Sequence, residues 1–281
     1  MQIYDFCPTS PPDVFPSPRE LRWTSIRPVD SILLPQHIVF FRDLIISTHV
    51  STKEMPQTST YGTESAANNA LGGIPTIHYF DFQSRGRGQV VRLLLIDAGA
   101  AFRDIRYTFE EWPEQKQNGK IAEINPTRTV PVVEMPDGRI LTQSYAIIRH
   151  WSRILGAYDG KTEDEKYWAD AICDIVVDWR TLFISAFFSN NQKEDYSKHQ
   201  QGDRKKYLNA IETHLNDSEL SKKGPFIIGN EITYADIALY QLLHDESLVQ
   251  DGRKGLKEYP RLVQLVDAVE SRPNIKKFFE Q

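Results

Sequence analysis

The chain has 281 residues, 40% of them apolar and 25% charged, with a net charge of −5. That length supports one large domain or two modest ones with a sizeable core, and the mildly acidic balance gives no basis for nucleic-acid or membrane-surface binding. Two cysteines, Cys7 and Cys173, supply neither a disulfide framework nor a zinc site, so a cytoplasmic protein without a bound metal is the plain expectation.

Residues 1–74 hold clustered prolines, serines and threonines with weak periodicity. They read as an extension, disordered or weakly ordered, or as the product of a wrongly assigned start. The apolar stretch SILLPQHIVFF (31–41) falls short of the roughly 20 residues a bilayer span needs, and it contains Pro35. No basic region opens the chain as in a secretory signal, and Asp5, Asp13, Glu20, Asp30 and Asp43 count against a transit peptide. Met55 heads the polar, linker-like MPQTSTYGTESAANNALGG and is an alternative initiator.

From Pro75 the punctuation is clear. TIHYF is a short strand by its β-branched and aromatic content. VVRLLLIDAG is a helix by apolar spacing, with Gly99 as its stop. FRDIRYTF marks a second strand through Phe102, Ile105, Tyr107 and Phe109. EEWPEQKQNGKIAEINPT is loop or helix. VPVVEM and RILT are strands around the turn Pro136-Asp137-Gly138, and QSYAIIRHWSRIL is a helix. The first two strands with their helix form a βαβ unit, and the hairpin adds antiparallel strands. After Gly156 and the linker Gly160-Lys161-Thr162 the chain is helix-periodic, apart from a brief strand signal in PFIIG. The expected fold is therefore a small α/β domain with a mixed sheet (75–156) followed by an all-helical domain (163–281). Thr233-Tyr234-Ala235-Asp236 is a capping box that starts one of its helices and carries no chemistry.

From Pro75 to Gln281 the residues resemble the cytosolic glutathione transferases, with the nearest likeness to the tyrosine-type, sigma-like members and their fungal relatives. YF…RGRGQVVRLLL, EWPEQK, TVPVVEMPDGRILTQSYAIIRH and FIIGNEITYADIALY carry the likeness, by order and spacing together. The resemblance implies a thioredoxin-like first domain, a helical second domain, glutathione as co-substrate and a homodimer. It implies a cis peptide at Val130-Pro131, with the Val130 backbone against the glutathione cysteine; a plain strand-start proline is the alternative. It places the γ-glutamyl carboxylate at Gln143 and Ser144, where a helix N-terminus makes an anion site and Ser144 suits the N-cap. It sets Trp112 and Lys116 at the glycine end of the tripeptide. It sends Asp178, one turn after Asp174 on the same helix face, towards the amino group in a partner's cleft. One position before Val130 the family often has lysine or glutamine; here Thr129 stands, with Arg128 as a possible substitute.

The chemistry needs a thiolate. A free thiol has a pKa of roughly 8.5, and lowering it by about two units takes roughly 2.7 kcal/mol. One hydrogen bond to a charged group contributes about 1.5–3 kcal/mol, so a single hydroxyl near a helix N-terminus is sufficient in scale. Tyr79 is the first candidate, with Arg87 as the nearby cation the family pattern supplies. Between YF and RGR, however, lie Asp81, Phe82, Gln83 and Ser84, two more residues than sigma-like members have. They either bulge outward or carry Tyr79 off the sulfur, in which case Ser84 is the rival hydroxyl; the choice stays open. Cys173 sits among apolar helix residues and reads as core. The expected reaction is conjugation of glutathione to a hydrophobic electrophile, its pocket drawn from Phe82, Phe183, Phe187 and Phe188. Glutathione-dependent isomerisation or ring opening in a biosynthetic pathway, and a non-catalytic binding protein on the same fold, are the alternatives.

Overall fold

The computed structural model describes residues 56–280; Cys7, the 31–41 stretch and Met55 lie outside them. One mixed sheet runs through β1 (Gln57–Tyr61), β2 (Thr76–Phe80), β3 (Phe102–Tyr107), β4 (Val132–Glu134) and β5 (Ile140–Thr142), in the spatial order β1-β3-β2-β4-β5. Among these strands lie α1 (Ala66–Leu71), α2 (Gly86–Asp97), α3 (Trp112–Gln117) and α4 (Lys120–Ile124), and α5 (Ser144–Leu155) follows. The helical part consists of α6 (Glu163–Phe187), α7 (Gln192–Gln201), α8 (Asp203–Asp217), α9 (Tyr234–Asp245), α10 (Pro260–Glu270) and α11 (Pro273–Phe279). β2 is parallel to β3 and antiparallel to β4, and β4 and β5 form a hairpin, as the sequence implies.

Strand alternation decides what β2 delivers to each face. Ile77 and Tyr79 face α2, while His78 and Phe80 face the layer of α3 and α4. His78 is buried, which lowers its pKa and keeps the ring neutral. The Glu134 carboxylate accepts from Nε2 at 2.7 Å, so Nδ1 accepts the Tyr107 hydroxyl, also at 2.7 Å. Lys120 closes the set on Glu134 at 2.9 Å. One imidazole thus ties β2, β3, β4 and α4 together on the face away from α2.

In the helical part α9 is the centre: every residue from Tyr234 to Leu243 is buried. Its start is fixed by the expected capping box, in which the Asp236 carboxylate accepts the Thr233 N–H at 2.7 Å and the Ile227 N–H at 2.8 Å. A second box, Thr162 with Glu165, opens α6. α9 packs on both α6 and α2, which joins the helical part to the sheet layer.

Several boundaries differ from the sequence reading. The α/β part begins at Gln57 rather than Pro75, because β1 and α1 belong to it. β1 (QTSTY) is an exposed edge strand whose inward contact is Tyr61, stacked on Phe102 at 5.2 Å, so it carries no apolar alternation to detect. Gly86-Arg87-Gly88 forms the first turn of α2, ahead of the Val90 start read from the sequence. The 110–127 region resolves into α3 and α4, Phe109 lies beyond β3, and α7 (QKEDYSKHQQ) buries little besides His199. PFIIG contributes only isolated bridges.

Asn68 shows that α1 is part of the fold. It is fully buried; its oxygen accepts the Ala101 N–H at 2.8 Å and its amide donates to the Ala101 carbonyl at 2.8 Å. Asn68→Ala leaves both backbone groups unpaired and should cost about 2–3 kcal/mol in urea unfolding, whereas Thr58→Ala on the exposed edge should stay within about 0.5 kcal/mol.

Candidate functional site

Tyr79 leaves the carboxyl end of β2 beneath the first turn of α2. A Cβ at position 88 would stand 2.3 Å from Tyr79 Cγ, and one at position 86 would stand 2.5 Å from its hydroxyl oxygen. Gly86 also has φ +78°, which glycine adopts without penalty. The two glycines therefore let the helix start directly on the phenol. The phenol oxygen accepts the Arg87 backbone N–H at 2.9 Å, and no acceptor for its own proton lies among the described residues. The residue is 5% exposed. Burial raises its pKa, opposed by the Arg180 charge and the Arg87 N–H. The phenol is thus protonated at neutral pH and has a proton to donate.

The four residues between YF and RGR fold into a turn that leaves this contact in place. Asp81 N–H bonds the Tyr107 carbonyl at 2.9 Å, Arg85 N–H bonds the Phe82 carbonyl at 3.1 Å, and Gln83 takes φ +53°. Arg106 clamps the turn through Asp81 and the Gln83 carbonyl, both at 3.3 Å. Phe82 packs edge-on against Tyr79 and beside Phe80 and Phe109. The Ser84 carbonyl accepts Gln241 Nε2 at 3.0 Å, while its hydroxyl bonds no described residue.

Arg87, singled out in the sequence, is one of several cations whose charge acts on Tyr79. The Arg87 side chain is half-buried and makes no ion pair among the described residues; its backbone N–H holds the phenol oxygen and its charge also lowers the Tyr79 pKa. Arg92 stands 5.7 Å from the Tyr79 ring centroid and is held by Asp104. Arg85 donates to the Asp245 carbonyl at 2.9 Å. The Asp245 carboxylate, at the end of α9, accepts the Gly86 N–H at 3.1 Å and Arg180 at 2.5 Å. Arg180, Asp245 and Tyr145 escaped the sequence reading. The signal was present in an arginine set inside the apolar run of VVDWRTLF.

At the second helix start, Gln143 rather than Ser144 holds the N-cap position, with φ +68°, and neither side chain caps α5. A non-glycine residue in that region is a strained backbone point of the kind found at ligand sites. The first intrahelical bond is Ile147 N–H to the Gln143 carbonyl, so the N–H groups of Ser144, Tyr145 and Ala146 are unspent. Val130-Pro131 is cis, and neither backbone polar group of Val130 bonds within the described residues. Its neighbours are held by Asn125, whose amide donates to the Thr129 carbonyl at 2.8 Å.

Trp112 opens α3 and meets Phe80 edge-on at 4.7 Å, while Lys116 on the same helix is exposed and makes no ion pair among the described residues. Asp178 and Asp174 are both exposed on α6; Arg149 pairs with Asp174 at 3.5 Å and Asp178 has no described partner. The four phenylalanines divide: Phe82 lies with Tyr79, whereas Phe183 and Phe187 pack with Tyr196, and Phe188 adjoins Phe187. Cys173 is buried, and burial pushes its thiol up to about 12, as suits a core residue. A cavity of 560 Å³ lies at the opposite end of β2, lined by Glu64, Thr76, Arg103 and Glu134, and holds none of these groups.

Known proteins resemble this chain in sequence and fold. The family model for the glutathione S-transferase N-terminal domain matches residues 88–153, and that for the C-terminal domain matches residues 177–281. Human glutathione S-transferase P is 33% identical over 206 residues, covering 72% of this chain and 90% of the relative. Glutathione S-transferase P 10 of Caenorhabditis elegans is 31% identical over 214 residues, 74% and 91% of the two chains. The crystal structure of the glutathione S-transferase from Ascaris lumbricoides superimposes with a TM-score of 0.60 at 29% identity, over 74% of this chain and 96% of that one.

Gly88→Ala drives a methyl group into the Tyr79 ring root, which has no room to yield. The variant should lose about 1–3 kcal/mol of stability and at least about tenfold in transferase activity, both read on the same preparation by thermal unfolding and initial rates.

Proposed function

Because this chain belongs to the cytosolic glutathione S-transferase family and uses glutathione as co-substrate, we propose that it conjugates glutathione to a hydrophobic electrophile, with Tyr79 as the hydroxyl that holds the sulfur as an anion. The observation that carries this reading is the state of the phenol: its oxygen is fixed on the Arg87 N–H and its proton is unspent. Burial keeps it protonated, so it acts as a donor to thiolate and not as a base. The glutathione thiol loses its proton to solvent, the thiolate accepts the Tyr79 O–H, and a sulfur lone pair forms the new S–C bond. The electrophile's leaving group departs with its bonding pair or, in an addition, its π pair shifts to the neighbouring atom and takes up a proton from solvent.

The same reading lays the tripeptide between the two helix starts. The γ-glutamyl carboxylate takes the unspent N–H groups and hydroxyl at Ser144, with Gln143 beside it. The cysteine backbone pairs with the free groups of Val130, next to Pro131. Trp112 and Lys116 receive the glycine end. The electrophile enters beside Phe82, Phe80 and Phe109, the aromatic set adjoining Tyr79. Two copies of the chain pair through the exposed face of α6, and the unpartnered Asp178 of one reaches the amino group in the other's cleft.

Tyr79→Phe should raise the titration point of bound glutathione by about one to two pH units and lower kcat/KM at neutral pH by about 10- to 100-fold, with retention on glutathione resin unchanged. Ser84→Ala should stay within about twofold; a loss carried by Ser84 instead would reassign the hydroxyl. Asp178→Asn should raise the KM for glutathione by about three- to tenfold while kcat at saturation holds.

A further inference from the structure

Arg180 is 1% exposed, on the face of α6 that packs against α9. Its guanidinium has five N–H donors. Nη1 is satisfied by Asp245, but Nε and Nη2 have no partner among the described residues. It also faces the buried Tyr145 hydroxyl, one residue after Ser144, close enough for its charge to act on that phenol. A buried cation left this far from satisfied is expensive, and its Coulomb gain from one carboxylate does not by itself explain it. A pairing that served only stability would be made more cheaply by apolar side chains.

The placement supplies a reason. Asp245, the partner of Arg180, accepts the Gly86 N–H, and the very next N–H, that of Arg87, is the one bound by the Tyr79 oxygen. Tyr145 brings the same guanidinium next to the N-terminus of α5. The charged groups around the two phenols are Arg180 from α6, Asp245 from α9, Arg87 and Arg92 from α2 and Arg85 just before it, while the neutral Cys173 thiol lies beside Tyr145. Of these cations, Arg92 is neutralised by Asp104 and Arg85 points to a carbonyl.

We propose that Arg180 is a positioning residue of the transferase site: a fixed cation of the helical part that strengthens the Tyr79 hydroxyl as a donor to the glutathione sulfur. The role rests on the assignment of Tyr79 above. Among the charges that act on Tyr79, Arg180 is the foremost in pulling its pKa down, and Asp245 pushes it the other way. Removing the cation leaves a buried carboxylate beside the phenol, which weakens the Tyr79 hydroxyl as a donor, so thiolate becomes harder to form. Neutralising Asp245 while keeping its shape leaves the cation unopposed, so thiolate becomes easier to form. Opposite shifts from two partners of one ion pair are what a purely structural role does not produce.

The test uses the full-length protein and follows the ultraviolet absorbance of bound glutathione thiolate against pH. Arg180→Gln should move the titration up by about one pH unit, a tenfold loss of thiolate below it. Arg180→Lys, which keeps the charge, should recover at least half of that shift. Asp245→Asn, which keeps an acceptor for the Gly86 N–H, should move the titration down and gives the same information if Arg180→Gln does not fold. In a Tyr79→Phe background the Arg180→Gln shift should disappear. Affinity for S-methylglutathione, which has no thiol proton, should stay within about threefold throughout. The proposal is overturned if Arg180→Gln titrates with the wild type, if it and Asp245→Asn shift the same way, or if activity falls by one constant factor at every pH. Failure of the Tyr79 assignment looks different: Tyr79→Phe alone would then leave the wild-type titration in place.

Discussion

Two neighbouring N–H groups at the start of α2 are shared between the two halves of the molecule. The Gly86 N–H goes to the Asp245 carboxylate of the helical part, and the Arg87 N–H goes to the phenol oxygen of the sheet. A helix start has four unsatisfied donors and a partial positive charge, and both prefer an oxygen that can carry negative character. Here one of those oxygens belongs to a side-chain carboxyl group and the other is a hydroxyl whose proton is left over. The rest of the site depends on that division. It fixes where the phenol ends, joins the two parts at the proposed sulfur site, and brings Arg180 to the same spot without a bond to the phenol.

The division needs backbone atoms to come very close to a ring. Gly86 and Gly88 allow it, one through a left-handed backbone and the other through the missing Cβ. It also needs the inserted turn to stay outside. Arg106 does this from β3: its side chain reaches Asp104 at 2.7 Å and the turn at Asp81 and Gln83. On the far face of β2 the neutral His78 holds three strands together, so the strand that carries Tyr79 is anchored from behind by groups that take no part in the chemistry.

Much of this is readable in the sequence because it is local. TIHYF, the Val130-Pro131 step before a strand, and Thr233 three positions before Asp236 each follow from the backbone needs of a few adjacent residues, and each is found where it was expected. The misses are of two physical kinds. β1 is polar and exposed, and its place in the sheet comes from backbone pairing with β3, which no side-chain period records. Ser144 has N-cap chemistry, yet the strained backbone falls on Gln143, so propensity and position part company by one residue. The other kind is long range: Arg180 and Asp245 are 65 positions apart, and nothing in either neighbourhood names the other. A charged residue inside an apolar run, as in VVRLLL and VVDWRTLF, shows only that a buried partner exists. Arg92 finds Asp104, and Arg180 finds Asp245 together with two phenols.

The central claim is that the spare proton of Tyr79 belongs to the glutathione sulfur. A crystal structure of the protein with glutathione bound measures this directly. The account predicts a phenol oxygen to sulfur distance of roughly 3–3.5 Å with the Arg87 N–H bond retained. A sulfur beyond hydrogen-bond reach of that oxygen, held instead by the Ser84 hydroxyl or by solvent alone, would contradict it.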